Sequence, residues 1–126
     1  MSKSIVMHLV SHASGELIEM LARYAVAQLD GVEVERRLWK VVRRLDQVPE
    51  ILGALASSPG YVLHSISHSD VRAALEEGCL RLDVPCQFAL EPLLGRLADY
   101  SGAAVQSHNS TGDAFDEDYY HRVEAM

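Results

Sequence analysis

The sequence has little of what marks the commoner chemistries. It has two cysteines, Cys79 and Cys86, which are not at CxxC spacing and have no second pair beside them. That excludes a ribbon-type zinc site. Cys79 falls in a helical pattern and Cys86 opens an apolar run, so both read as small core residues in a reduced setting. No glycine is followed by lysine, so there is no G-x-x-x-x-G-K-[ST] loop to cradle a nucleoside triphosphate. A dinucleotide fingerprint G-x-G-x-x-G and a nucleophile elbow G-x-S-x-G are missing too. Basic residues number 11 against 18 acidic ones, a formal charge of -7, which argues against nucleic acid or an anionic membrane as the main partner. No apolar run approaches the ~20 residues of a membrane span. The N-terminus carries one lysine, and Ile5–Val10 is too short for a signal-peptide core, so a cytoplasmic protein is expected.

What is present is a regular alternation. The 126 residues, 48% apolar, suit one domain with a real core. Ile5–Val10 has the length of a buried strand. Over Gly15–Leu29, Ile18, Leu21, Ala22, Ala25 and Leu29 recur on one helical face, and Asp30-Gly31 ends the pattern. Val32–Val42 is extended. Asp46–Ser57 is helical, with Asp46 as N-cap, Pro49 in the first turn, and Val48, Ile51, Leu52 and Leu55 as its stripe. Tyr61–Ile66 is a third strand. Ser69–Leu82 is a helix capped by Ser69, with Val71, Leu75, Cys79 and Leu82 inward. Cys86–Leu90 is a fourth strand, and Pro92 opens a helix over Leu93–Tyr100. Residues 101–114 read as a linker, after which Asp116 starts a last helix with Tyr119, Tyr120 and Val123 on one side. This order predicts an α/β domain, three-layered and Rossmann-like or flavodoxin-like, with a mostly parallel sheet of about four strands.

In such a sheet, ligands bind outside the carboxyl ends of the strands. Those ends gather Ser11, His12, Ser14, Gly15, Arg43, Arg44, His68, Ser69 and Glu91 on one rim. Ser14 is expected to cap the first helix, and Gly15 to let backbone approach closely. Free N–H groups at that helix end favour a phosphate or carboxylate, although a plain N-cap fits the same residues. Lys40, Arg43 and Arg44 form the one basic cluster, suited to an anion or to solvent. Of the six histidines, His8 and His64 sit inside strands as core residues, while His12 and His68 reach the rim, where an imidazole titrates near neutral pH. No carboxylate or cysteine stands at ligand spacing beside them, so no metal is expected.

Three stretches carry a resemblance. "HLVSHASGEL" resembles the motif H-L-[IV]-S-D-[AGS]-T-G-E-T; "DQVPEILGALASSPGYVLHSI" and "DEDYYHRVEAM" follow in the expected order. The chain resembles the N-terminal half of the regulators of pyruvate, phosphate dikinase and phosphoenolpyruvate synthase. His8, Ser11, Gly15 and Glu16 match the opening motif. Ser14 replaces its first threonine, His12 its aspartate and Leu17 its second threonine. Tyr119, Arg122 and Ala125 match the later segment, and His108 aligns with a histidine of the preceding loop. The resemblance implies a bifunctional enzyme that uses ADP to phosphorylate a threonine of the target and inorganic phosphate to remove it, releasing pyrophosphate. The family's P-loop lies beyond the stretch matched here. The expectation is therefore an α/β domain over 1–100, then a linker and helix start over 101–126 leading to an absent catalytic domain, inert alone. A stand-alone small-anion-binding or protein-interaction module is the alternative, and a homodimer through Trp39 and Tyr119-Tyr120 stays open.

Overall fold

Strand and helix alternate through residues 3–106, the part of the chain that a computed structural model describes. The helix expected from Asp116, the tyrosine pair and His108 lie outside the described residues. The elements are β1 (Lys3–Val10), α1 (Glu16–Ala27), β2 (Val32–Trp39), a 3₁₀ turn (Leu45–Gln47), α2 (Val48–Ser57), β3 (Tyr61–His64), α3 (Ser69–Arg81), β4 (Cys86–Phe88) and α4 (Leu93–Ser101). The four strands form one sheet in the order β2-β1-β3-β4, every pair parallel. The expected α/β three-layer, Rossmann-like architecture is the one that forms.

Period-two alternation sorts the side chains to two faces. Val10 and Val62 face α2 and α3, where Val48, Ile51, Leu55, Val71, Leu75 and Cys79 complete the larger core. Met7, Leu9 and Leu63 face the other way, onto Ile18 and Ala22 of α1. Leu9, Leu55 and Val62 are wholly buried; side chains of this size contribute ~1.5–3 kcal/mol each when fully buried. The β2 edge carries Glu33, Glu35, Arg36 and Arg37, all exposed, which discourages pairing with another strand.

Several local expectations change. Ser14 does not cap α1. Gly15 occupies the cap position with φ 90°, and no side chain bonds the helix end. A left-handed cap suits glycine, and a Cβ here would also come within 2.7 Å of Leu38. Ser69 is the first residue of α3 rather than its cap, because the extended backbone at His68 takes that position. Asp46 lies inside the 3₁₀ turn, and α2 follows directly with Pro49 in its first turn. The second extended region ends at Trp39, not Val42. The chain then folds over the β1–α1 loop, with Val41 N–H donating to the Ala13 carbonyl and Val42 N–H to that of Ser11. Leu21, Ala25, Leu29 and Leu82 are exposed rather than inward. In α1 the buried positions are Ile18 and Ala22, with Val26 half-buried against them, and Leu29 lies beyond the helix end.

Candidate functional site at the switch point

Strand order reverses between β1 and β3, since β1 leads to one edge and β3 continues toward the other. The carboxyl ends of these two strands therefore flank the crevice that open α/β sheets use for ligands. Val10 pairs with His64, so the residues that follow, Ser11–Gly15 and Ser65–His68, leave the sheet side by side.

His12 bridges them. Its Nδ1 lies 2.8 Å from the Ser65 carbonyl oxygen and 2.9 Å from Ser65 Oγ. A carbonyl only accepts, so Nδ1 carries the proton, and in the neutral ring Nε2 holds the lone pair. The His12 main-chain N–H also donates to Ser65 Oγ at 3.4 Å. Ser11 Oγ accepts from Ala13 N–H at 3.0 Å, tightening the same loop. From the other side Arg43 Nε donates to the His12 carbonyl at 2.8 Å. Gln47 holds Arg43 in place: its Oε1 accepts from Arg43 and Arg44 N–H, both at 2.8 Å, and its Nε2 donates to the Val41 carbonyl.

Ser11, His12, Ser14, Gly15 and Ser65 line a cavity of about 220 Å³ at the start of α1. Glu16 lines it as well, and with Glu19 it puts two carboxylates in the first helical turn. These already complement the positive helix end, so an anion is less favoured here than the sequence suggests. Of the rim residues read from sequence, Ser11, His12, Ser14, Gly15 and Arg43 come together. His68 is buried at the start of α3, and Ser69 follows it there. Arg44 points elsewhere, exposed, with its Nε 3.0 Å from Asp46 Oδ1. Ser65 and Gln47 are the residues that sequence reading missed. Only strand order could have placed Ser65 beside His12.

The strand histidines are structural. His8 Nε2 donates to the Ser58 carbonyl at 2.9 Å, and its Nδ1 accepts from the Trp39 indole at 3.4 Å. His64 Nδ1 accepts from Ile66 N–H, which leaves Nε2–H to donate to Glu76 at 2.9 Å. That bond holds the Glu76 carboxyl below its ordinary range; burial opposes the shift and Arg72 adds to it. Arg72 lies 4.0 Å over the Phe88 ring, which stacks on His64. Among the described residues no cluster of three His, Cys, Asp or Glu is arranged to hold a metal ion, and no helix is long and apolar enough to cross a membrane.

The parallel sheet, with α1 on one face and α2 and α3 on the other, defines a doubly wound α/β domain. The family model described as Kinase/pyrophosphorylase matches residues 7–126, and the chain belongs to that family. It is 35% identical over 119 residues to a protein of Caulobacter vibrioides, covering 94% of this chain and 38% of that one. It is 34% identical over 120 residues to one of Novosphingobium aromaticivorans, covering 95% and 43%. For one of Maricaulis maris the figures are 34% over 119 residues, covering 94% and 43%. All three carry a provisional name, pyruvate, phosphate dikinase regulatory protein. The chain thus spans about two-fifths of the length of these relatives.

Proposed function

We propose that the chain is the N-terminal domain of a regulator that phosphorylates a threonine of pyruvate, phosphate dikinase or phosphoenolpyruvate synthase with ADP and dephosphorylates it with inorganic phosphate. The observation that carries this is the family match over residues 7–126 in a chain with no phosphate-cradling loop. In this reading the nucleotide is held by the remainder of the longer protein, and the His12–Ser65 rim faces the target enzyme. Arg43 braces the rim through the His12 carbonyl. Free Cys79 and Cys86 fit a cytoplasmic setting. The test is incubation of the chain with each target enzyme and ADP, followed by mass spectrometry of the target threonine. No phosphate added by this chain alone, and transfer by the full-length relative, is the expected result. Transfer by this chain alone overturns the division of labour.

A small-anion module is the second reading, favoured by the left-handed Gly15 and by the cavity at the start of α1. Glu16 in that cavity weighs against it. Calorimetry with phosphate, pyrophosphate and phosphoenolpyruvate separates the two, and heat from any of them moves this reading forward.

A further inference from the structure

Helix α4 turns its apolar stripe to a cavity rather than to the core. Leu94, Leu97 and Ala98 recur at i, i+3 and i+4, the spacing of one helical face, and all three line a cavity of about 350 Å³. No residue of α4 is buried, and Leu97 is 53% exposed. Phe88, the last residue of β4, and Ser67, in the loop after β3, line the cavity from the sheet side. It therefore lies at the carboxyl ends of β3 and β4, where open parallel sheets hold ligands. It shares no lining residue with the cavity at the start of α1.

Among the described residues Arg72 is the one charged side chain that lines it. Two contacts hold the guanidinium in place. Its carbon lies 4.0 Å over the Phe88 ring, and its Nε donates to Glu76 Oε2 at 3.1 Å. Nε is one of five N–H donors in the group, and the terminal pair suits the two oxygens of a carboxylate. Glu76 does not line the cavity and also accepts from His64 Nε2, so no acidic side chain of the lining opposes an anion. One fixed cation among apolar walls selects for charge and for an apolar body together. The volume falls in the range of small-molecule sites, about 300–1,000 Å³.

We propose that this cavity binds a small organic carboxylate with an apolar body, its carboxylate on Arg72 and its body against Phe88, Leu94, Leu97 and Ala98. Inorganic phosphate has no apolar part to cover these walls and is the wrong ligand here. The site is separate from the His12–Ser65 rim, so the inference goes beyond the regulator reading and stands without it.

The test follows backbone amide shifts of the full 126-residue chain during titration with 2-naphthoate, its neutral analogue 2-naphthamide, and inorganic phosphate. Saturable shifts centred on Arg72, Phe88 and residues 94–105 are expected with naphthoate, at an affinity at least about tenfold above that of the other two. Arg72→Gln is expected to lose at least about tenfold in naphthoate affinity. Leu97→Asp, at an exposed position outside the core, is expected to weaken naphthoate through like charge. Naphthoate and naphthamide binding alike, phosphate binding as tightly as naphthoate, or no saturable shift at these residues overturns the proposal. Unchanged naphthoate affinity in Leu97→Asp overturns it too, whether or not Arg72→Gln folds.

Discussion

His12 and Ser65 tie the carboxyl ends of β1 and β3 together across the switch point, through Nδ1 contacts of 2.8 Å to the Ser65 carbonyl and 2.9 Å to its hydroxyl. The link joins residues 53 apart in sequence and fixes the imidazole as a donor toward the main chain.

This donor role makes the departure from the family motif testable. Ser65→Ala removes one acceptor and is expected to destabilise by about 1 kcal/mol. His12→Asp restores the motif residue, but a carboxylate cannot donate to the Ser65 carbonyl. The unsatisfied buried acceptor costs ~1–3 kcal/mol, so this variant is expected to be the less stable of the two. Urea unfolding of both decides it; a His12→Asp chain as stable as the parent contradicts the donor role.

Gly15 is constrained twice, by φ 90° and by Leu38 at 2.7 Å from the position of a Cβ. Gly15→Ala is expected to lose ~1–2 kcal/mol to the left-handed backbone and ~1–3 kcal/mol more to overpacking. Thermal unfolding checks the sum. Ser14→Ala, which removes no cap, is expected to stay within about 0.5 kcal/mol of the parent.

The Glu76 carboxylate gives the fold an acid limit. His64 Nε2–H and Arg72 hold its folded-state titration below the ordinary 4.5. Folding therefore favours the charged form. That contribution is fully present above pH about 4.5 and is lost as pH falls through the lower folded-state value. Glu76→Gln is expected to flatten the fall in stability across this acidic window, measured as urea midpoints at successive pH values. An unchanged slope counts against the His64–Glu76 bond.

Much of the architecture was legible because it rests on periodicity. The apolar runs read as strands over Ile5–Val10 and Tyr61–Ile66 fall on β1 and β3, although β3 ends at His64 and Ile5 and Tyr61 are exposed, and the stripes Val48/Ile51/Leu55 and Val71/Leu75/Cys79 are buried helix faces. His8 and His64 are core residues, as their strand positions suggest. The helix starts were read less well. Ser14 and Ser69 are the usual capping types, but backbone conformation at Gly15 and His68 decides those caps. The rim was half legible. Residues following a strand can be read along the chain, whereas Ser65 meets His12 only through strand order, and Gln47 reaches back through loop geometry. Leu21 and Leu29 are exposed although the stripe includes them, because the helical period alone does not say which part of an apolar face the sheet covers.

The two thiols are expected to resist reagents in the folded chain. The hydrogen bond with Cys79, together with burial, pushes the Cys86 thiol well above its ordinary range, and Cys79 is wholly buried. The thiolate is the reactive species. Ellman's reagent at pH 8 should therefore label neither cysteine at the rate of a free thiol until urea unfolds the chain. Rapid labelling of Cys86 under native conditions contradicts this packing.

The central claim is that this domain presents the His12–Ser65 rim to a target enzyme. Titration calorimetry of the chain against pyruvate, phosphate dikinase and against phosphoenolpyruvate synthase tests it most directly, with His12→Ala and Arg44→Ala run alongside. The account predicts binding to one of the two enzymes, at least tenfold weaker for His12→Ala and unchanged for Arg44→Ala, whose guanidinium is turned to Asp46. Binding to neither enzyme, or binding indifferent to His12, contradicts it.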